Sequence, residues 1–336
     1  GDSLGGRDVA HGRTLPDLDA VASRRDTGAM NRTFELQGHR GARGLFPENT
    51  LEGFAATLAI GVDSLELDVA ITSDGVAVVT HDPALNQDIA RTADGAWLPG
   101  PGPAIRALSL AELAAYDVGR LRPASAYAAL YPGQAPHDGA RIPRLEDLLA
   151  LAAAAGVVAD VELKTLPDRP DLTVTPAAMA EAVMACVAAV PARLAVRSFD
   201  WRGLRYMRER HPAVPLAYLT SPETVREAAL WWDGATAAAF DGSVAAAVAA
   251  EAKGAPWRAV WAPQHAALTR DEVARAQALG LRVVPWTVNA PDEMARLIAW
   301  GVDGICTDRP DLARQAMGEA GLPVPAPFLA PQIRSS

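Results

Sequence analysis

The sequence predicts a (β/α)8 TIM barrel with a small insertion, and three observations carry this prediction. Short apolar segments alternate with helix-forming segments along most of the 336 residues, as in a parallel sheet covered by helices. Eight of the apolar segments can be counted as parallel strands, the number that closes a barrel. We expect polar side chains only at the C-terminal ends of these segments, which favours the barrel over a doubly wound open sheet, the alternative architecture.

The first strand–helix unit runs from the segment around Leu36 to Gly61. Asn49 is a good N-cap residue, and Glu52 three positions later completes a capping-box pattern. Apolar residues at helical spacing follow, and a glycine is typical of a helix C-terminus. We therefore predict a helix that is capped by Asn49 and ends at Gly61.

The stretch 64–82 contains an alternating strand, a Ser-Asp-Gly turn at 73–75 and a second apolar run ending in His81-Asp82. Parallel neighbours need a crossover of a dozen or more residues, whereas a short turn joins antiparallel strands. The second run must therefore fold back on the first. This hairpin brings His81 towards Glu66 and Asp68.

The segment 83–141 breaks the alternation, because it is rich in Gly, Pro and Tyr and contains one convincing helix, at 109–116. We interpret it as an insertion within a barrel domain spanning 34–320.

The parallel strands are represented by Leu36, Leu65, Val161, Ala195, Ala217, Val260, Val284 and Ile305. The helices predicted after the insertion cover 145–155, 176–190, 201–210, 222–232, 243–253, 271–279, 291–300 and 310–319. Residues 1–33 are predicted to form an extended tail and 321–336 a Pro-rich one.

Composition excludes several classes of function. The formal net charge is −9, which argues against a nucleic-acid partner, because phosphate-backbone binding depends on an excess of Lys and Arg. A small phosphorylated substrate needs only local positive charge and stays possible. No apolar run approaches the roughly 20 residues of a membrane span. Cys186 and Cys306 cannot form a zinc cluster by themselves, and we expect two core thiols.

The N-terminus bears on localisation. The chain opens Gly1-Asp2-Ser3 without a start methionine, and its first residues are polar. Either a leader has been removed or the chain has been trimmed. A removed leader would favour a periplasmic or secreted protein over a cytoplasmic one.

Side chains able to carry chemistry converge on one mouth of the predicted barrel. Glu66 and Asp68 lie two residues apart on a strand, so they project from the same face. Two adjacent carboxylates repel each other unless a cation or a shared proton lies between them, so a metal site competes with a solvated strand face. The other residues at strand C-terminal ends are His39, Arg40, His81, Glu162, Lys164, Ser198, Trp286, Asn289 and Asp308. Their convergence favours the metal site.

The combined motifs resemble those of the glycerophosphodiester phosphodiesterase family. The matching segments are H-R-G (39–41), P-E-N-T (47–50), E-L-D (66–68), D-G-V-A-V-V-T-H-D (74–82), E-L-K (162–164), S-F-D (198–200), W-T-V-N (286–289) and G-V-D-G-I-C-T-D (301–308). They occur in the family's order and cover roughly residues 35–320. The resemblance implies a TIM barrel with an inserted region, His39 and His81 as the acid/base pair, and Glu66, Asp68 and Glu162 as ligands of one divalent cation.

The chemistry of these residue types agrees with that assignment. Carboxylates are hard oxygen ligands suited to Mg²⁺ or Ca²⁺. Arg40 and Lys164 can donate to a phosphate, and Trp286 is either a substrate wall or barrel packing. Two histidines suit a reaction that takes a proton from the nucleophile and gives one to the leaving alkoxide. The sequence does not order the two, nor does it separate attack by water from a cyclic phosphate intermediate.

Several residues also have a purely structural interpretation. Arg40 can pair with Glu48, Lys164 can be a solvated strand end, and His81 can bond its neighbour. Asp308 is predicted to cap the last helix, which has Pro310 at its start, and is left out of the catalytic set. The remaining histidines have no matching partners and are predicted to be structural or solvated: His11, His137, His211 and His265.

The sequence thus predicts an enzyme that hydrolyses glycerophosphodiesters to sn-glycerol 3-phosphate and an alcohol in glycerophospholipid breakdown. One rival is a phospholipase D-like lyase on the same barrel. A rival of another class is a barrel that only binds phosphate esters, although a binder needs no acid/base pair. Head-group selectivity should lie in the insertion, where Trp97, Tyr127 and Tyr131 are candidates.

Overall fold

The computed structural model describes residues 34–330. The strands in this range are β1 (Glu35–Gly38), β2 (Ser64–Ile71), β3 (Ala77–Val79), β4 (Val158–Leu163), β5 (Arg193–Ser198), β6 (Leu216–Thr220), β7 (Val260–Pro263), β8 (Arg282–Val283) and β9 (Gly304–Thr307). The α-helices are α1 (Leu51–Ile60), α2 (Leu110–Leu113), α3 (Ala126–Leu130), α4 (Leu145–Ala155), α5 (Pro176–Ala189), α6 (Trp201–Arg210), α7 (Pro222–Arg226), α8 (Ala228–Trp231), α9 (Val244–Glu251), α10 (Arg270–Ala278), α11 (Pro291–Ala299) and α12 (Pro310–Glu319). The tail predicted for residues 1–33 lies outside the described residues, as do residues 331–336 of the C-terminal tail.

Eight of these strands form a parallel barrel. Their order is β8-β7-β6-β5-β4-β2-β1-β9, with parallel pairing at each step. Backbone hydrogen bonds from Asp303 N to Val283 O (2.8 Å) and from Cys306 N to Pro285 O (3.0 Å) join the two ends of this series. A sequential order that closes on itself confirms the predicted barrel and excludes the doubly wound sheet.

The sequence predicts a strand over 282–288, but β8, the seventh strand of the barrel in chain order, covers only part of this range. Only Arg282–Val283 is strand, although Val284 N and Trp286 N still donate to residues of β7. Pro285 has no N–H, so it can accept from Cys306 N on the side of β9 but cannot donate there. Beyond Val283, single backbone hydrogen bonds hold this segment in the wall of the barrel.

The hairpin prediction is confirmed. β3 pairs with β2 alone and antiparallel, with Val69 opposite Val79. Ala70 and Ile71 complete the ladder, and His81 follows two residues after β3 ends. The return strand therefore ends beside the C-terminal half of β2, where the acidic residues lie.

The main core lies between the barrel and its helices. Leu65, Leu67 and Val69 are fully buried on one face of β2, while Glu66 and Asp68 alternate with them. Burial of such apolar faces is the main stabilising contribution to a fold of this kind.

Polar residues also lie deep within the strands, which the sequence did not predict. Arg197 on β5 pairs with Asp160 on β4 and with Gln37 on β1, and all three are buried. The expectation that polar side chains occur only at strand C-terminal ends is therefore wrong. A barrel interior can hold two opposite charges when they pair directly with each other, as Arg197 and Asp160 do.

Thr50, and not the predicted Asn49, is the N-cap of α1. Its side chain accepts a hydrogen bond from Gly53 N at 3.0 Å, so the capping box expected with Glu52 does not form. Asn49 has a φ of 54°, in the left-handed region that asparagine tolerates. Its amide donates to Asp68 Oδ2 instead, at 3.0 Å. Asn49 therefore contacts the acidic cluster and does not cap the helix, because its left-handed backbone turns the chain one residue before the helix begins.

Replacing Thr50 with alanine is expected to lower the free energy of unfolding by about 1 kcal/mol, the usual cost of losing an N-cap. Thr50→Ser retains the hydroxyl and should stay within a few tenths of a kcal/mol of the native protein. Urea unfolding of the three proteins measures the difference. Equal stability of Thr50→Ala and the native protein would contradict the cap assignment.

The insertion has a small apolar cluster of its own. Val78, Leu85, Ile105, Leu113 and Ile142 are among its buried members. Of the helix predicted at 109–116 only α2 forms, with the capping box that Ser109 and Glu112 provide, and the sequence missed α3. The helix predicted at 222–232 is divided into α7 and α8. Within residues 34–330, none of the helices combines the length and the apolar character needed to cross a bilayer.

Candidate active site

Three buried carboxylates lie together at the mouth of the barrel. Asp68 on β2 is in register with Glu162 on the neighbouring β4, and Glu66 precedes Asp68 by two residues on the same face. One oxygen from each lies within 4.8 Å of the others. Parallel pairing of two adjacent strands thus adds the third carboxylate to the pair that the sequence singled out.

The electrostatics of this cluster fit a cation. Burial and the charge of Asp68 raise the pKa of Glu66. Burial alone would also raise the pKa of Asp68, but His81, Lys164 and Arg40 hold it below its ordinary value. Asp68 Oδ1 is buried and accepts no hydrogen bond. An unbonded carboxylate oxygen facing two further carboxylates is a donor set that suits a hard divalent cation.

His39 follows β1 and faces the cluster. Its Nδ1 lies 2.6 Å from Asp308 Oδ1, and its Nε2 lies 3.9 Å from Glu66 Oε2. The short contact assigns the ring proton to Nδ1, donating to the carboxylate, which leaves Nε2 as an acceptor. Burial and the charge of Arg43 lower the pKa of His39 to about 4, against the opposing effect of Asp308.

Asp308 does not cap the last helix, so that prediction is wrong. The N-cap residue of α12 is Arg309, and no side chain caps the helix. Asp308 accepts hydrogen bonds from His39, from Arg43 Nε at 2.8 Å and from Asn289 Nδ2 at 2.7 Å. Burial would raise its pKa, but His39 and Arg43 hold it well below the usual range. Asp308 is therefore a buried anion that orients His39.

His81 approaches the cluster from the hairpin. Its Nδ1 lies 2.7 Å from Asp82 Oδ1, and Asn86 Nδ2 donates to Asp82 Oδ2 at 2.7 Å. Burial, followed by the charges of Lys164 and Arg40, lowers the pKa of His81. His81 is therefore hydrogen-bonded to its neighbour Asp82 and also lies beside the acidic cluster.

Two cations border the carboxylates. Arg40 Nη1 donates to Glu48 Oε1 at 2.8 Å, while its Nε lies 3.4 Å from Asp68 Oδ2 and makes no hydrogen bond. Lys164 Nζ donates to Glu162 Oε1 at 2.9 Å and lies 3.6 Å from Asp68 Oδ1. Lys164 is thus not a solvated strand end, and the predicted pair of Arg40 and Glu48 does form.

The backbone at Arg40 is unusual. Its φ of 51° lies in the left-handed region, which is costly for a residue with a long side chain. In this conformation Arg40 N donates to Glu66 Oε2 at 2.9 Å. The loop after β1 therefore contributes a backbone donor as well as a guanidinium to the acidic cluster.

The sequence missed Arg43 as a member of this site. Its guanidinium binds Asp308 and lies 5.0 Å from the ring centroid of Tyr131. Tyr127 donates to Glu48, so two of the three aromatic candidates of the insertion reach the loop after β1. Trp97 instead packs against Arg91 within the insertion. A charged residue in the otherwise apolar loop A-R-G-L-F-P was the only available signal for Arg43.

Trp286 and Ser198 have structural partners. Trp286 is half-buried, donates through Nε1 to Ala262 O at 2.9 Å, and meets the ring of Phe199 edge-on at 5.4 Å. Ser198 is fully buried and donates to Leu163 O at 3.0 Å. The indole keeps an exposed portion, whereas the serine hydroxyl ties β5 to β4 and also accepts from Asp200 N at 3.1 Å.

Two of the other histidines pair with carboxylates outside the cluster. His211 Nε2 lies 3.2 Å from Glu181, and His265 Nδ1 lies 3.3 Å from Glu293. His137 is exposed, and His11 falls outside the described residues. Both cysteines are free: Cys186 is half-buried and Cys306 is buried.

Comparisons with known proteins agree on one family. The model of the glycerophosphoryl diester phosphodiesterase family matches residues 39–312. A glycerophosphodiester phosphodiesterase of Bacillus subtilis is 28% identical over 82% of this chain and 83% of its own length. The crystal structure of a putative glycerophosphoryl diester phosphodiesterase from Silicibacter pomeroyi is 38% identical, with a TM-score of 0.77 over 86% of this chain and 95% of that one.

A third comparison bears on the fold alone. The structure of an Oleispira antarctica phosphodiesterase, solved in complex with the product sn-glycerol-3-phosphate, is 20% identical to this chain. It has a TM-score of 0.60 over 84% of this chain and 96% of that one. The two proteins share the barrel architecture.

Proposed function

Because the chain belongs to the glycerophosphoryl diester phosphodiesterase family and is a glycerophosphodiester phosphodiesterase, we propose that it forms sn-glycerol 3-phosphate and an alcohol by metal-assisted acid/base catalysis. This would place it in glycerophospholipid breakdown. One observation carries the proposal: two histidines that follow different strands, His39 and His81, lie beside a buried cluster of three carboxylates. An assembly that only bound phosphate esters would not need the two histidines.

Glu66, Asp68 and Glu162 would hold the divalent cation, Mg²⁺ or Ca²⁺. The Asp68 oxygen that accepts no hydrogen bond and the raised pKa of Glu66 support this assignment, because a cation would relieve the repulsion among the three carboxylates. When bound, such an ion neutralises charge on the phosphate and favours the more negative transition state.

The two histidines would move the protons. His39 donates from Nδ1 to Asp308, so its neutral Nε2 is available to accept a proton from the attacking hydroxyl. A pKa of about 4 keeps this imidazole neutral at pH 7. His81 would give a proton to the leaving alkoxide from its protonated form, which the charge of Asp68 and the hydrogen bond to Asp82 favour against the effect of burial on its pKa. The attacking hydroxyl belongs either to water or to the glycerol moiety.

Arg40, Lys164 and Trp286 would bind the substrate. The unbonded Nε of Arg40 and the ammonium of Lys164 both face the acidic cluster, where a phosphate bound beside the cation could accept from them. The exposed portion of the Trp286 indole would form a wall beside the glycerol. The anion is thus held by donors that the carboxylates already orient.

Product analysis tests this function. We expect the purified protein with Mg²⁺ or Ca²⁺ to release sn-glycerol 3-phosphate from glycerophosphoethanolamine, detected by an enzyme-coupled assay. Phosphorus NMR of the same mixture distinguishes the open monoester from a cyclic phosphate. A cyclic phosphate as the final product would indicate the lyase alternative. Binding without any turnover of glycerophosphodiesters would show a non-catalytic barrel.

A further inference from the structure

A second feature lies beside the acidic cluster: an apolar cavity of about 100 Å³ that borders His81 and Lys164. Its walls come from the end of β2, from the insertion and from the loop that follows β4. The apolar residues lining it are Ala70, Ile71, Pro83, Ile105, Leu166, Leu172, Val174 and Met179. The cavity therefore begins at the candidate catalytic residues and continues into hydrophobic surroundings.

The lining of the cavity is apolar, and its permanent charges are all positive. Among the described residues that line the cavity, the polar ones are His81, Arg106, Lys164 and Thr173, and the lining holds no carboxylate and no Phe, Tyr or Trp. Recognition of an ammonium group uses aromatic faces or negative charge. Here the two permanent charges, on Arg106 and Lys164, are both positive. The cavity thus suits an uncharged apolar group and opposes a cationic one.

Arg106 holds two walls of this cavity together. Its Nη1 donates to the backbone carbonyls of Pro170, Asp171 and Thr173, at 3.2, 3.0 and 3.0 Å. Because Arg106 belongs to the insertion and its acceptors follow β4, the side chain bridges the two segments. Leu166 N also donates to Thr173 Oγ1 at 3.3 Å, which closes the loop on itself. These contacts define the size of the cavity before any ligand binds.

We propose that this cavity binds the apolar part of the leaving alcohol, and that the enzyme prefers glycerophosphodiesters of short uncharged alkyl alcohols to those of choline or ethanolamine. The inference rests on the proposed function, in which His81 protonates the alcohol oxygen. The group attached to that oxygen then lies on the His81 side of the phosphate, where the cavity begins. An apolar cavity of about 150 Å³ binds benzene, so this smaller one fits a chain of roughly three or four carbons.

A homologous substrate series tests the inference. We expect kcat/KM to rise roughly three- to fourfold per methylene from the methyl to the butyl ester of glycerol 3-phosphate, as each CH2 becomes buried. The rise should level off at the octyl ester, which exceeds the cavity. Glycerophosphocholine should be cleaved more slowly than the propyl ester. A flat series, or a preference for choline, would overturn the proposal.

A variant with a matched control locates the effect. Val174→Thr keeps the shape of the side chain but places a hydroxyl in the cavity, so the butyl-to-methyl ratio of kcat/KM should fall by roughly 3- to 30-fold. Val190→Thr makes the same change at the end of α5, among residues that do not line the cavity, and should leave the ratio unchanged. Equal ratios in the two variants would contradict the assignment of the cavity.

Binding measurements separate failure of this inference from failure of the proposed function. Calorimetry with butyl phosphate and methyl phosphate should show tighter binding of the butyl compound, and Val174→Thr should reduce the difference. If sn-glycerol 3-phosphate is released from every ester at one rate and the two phosphates bind equally, the cavity inference is wrong while the proposed function stands. If no ester yields sn-glycerol 3-phosphate, both are wrong.

Discussion

Replacing His39 or His81 with alanine is expected to lower kcat by on the order of 10²–10⁴-fold, the usual contribution of a positioned acid or base. The structure gives His39 a fixed orientation, since Asp308 accepts from Nδ1 at 2.6 Å and is itself bound by Arg43 and Asn289. Alanine at position 39 removes the ring nitrogen, Nε2, that lies 3.9 Å from Glu66 Oε2. The loss should therefore appear in kcat more than in KM.

Steady-state kinetics on glycerophosphoethanolamine measure both variants. His211→Ala is a matched control, because His211 lies at the end of α6, outside the site, and pairs there with Glu181 of α5. It should keep native turnover. Circular dichroism should show the native helix content in all three variants. Near-normal turnover in either His39→Ala or His81→Ala would exclude that histidine from the acid/base pair.

Removing the cation is expected to abolish turnover, and the effect should be reversible. A chelator should inactivate the enzyme, and added Mg²⁺ or Ca²⁺ should restore it, because three buried carboxylates without a cation repel both one another and the phosphate. Glu66→Gln should raise the cation concentration needed for half-maximal activity on the order of 10–100-fold or more, since even partners beyond the ligands contribute that much to metal affinity.

Two measurements test this dependence. Activity is titrated against each cation, and calorimetry reports cation binding without any substrate. Glu181→Gln is the control, because it removes a carboxylate that is half-exposed on α5 and should change neither result. Unchanged activity in excess chelator would eliminate the metal-assisted mechanism. Unchanged calorimetry in Glu66→Gln would remove that residue from the ligand set.

Local sequence patterns predicted the elements that position the site. The alternation of β2 and the turn at 73–75 are short-range features, so the antiparallel return of β3 could be derived from them. The spacing of Glu66 and Asp68 placed both on one face for the same reason. At α1 the pattern predicted Asn49 as the cap, one residue too early, because Asn49 and Thr50 are both good caps. The turn at Asn49 decided between them.

Contacts between residues far apart in the chain could not be predicted from local patterns. The neighbours of Asp308 in the chain suggested a helix cap, but its partner His39 lies 269 residues away. No periodicity or spacing encodes that distance; only closure of the barrel, which pairs β9 with β1, brings the two together. Arg43 and the buried pair of Arg197 and Asp160 were missed for the same reason. A charged residue is predicted to be exposed unless the partner that pairs with it is known, and these partners are distant in the chain.

The sequence by itself determined the barrel, the hairpin and the residue types at the mouth, because strand periodicity, turn chemistry and motif order are local properties of the chain. Only the tertiary structure decided which of these side chains meet. Register between β2 and β4 sets Asp68 beside Glu162. Packing of the insertion on the loop after β4 creates the apolar cavity beside His81. Both depend on distances between segments far apart in the chain, which folding alone establishes.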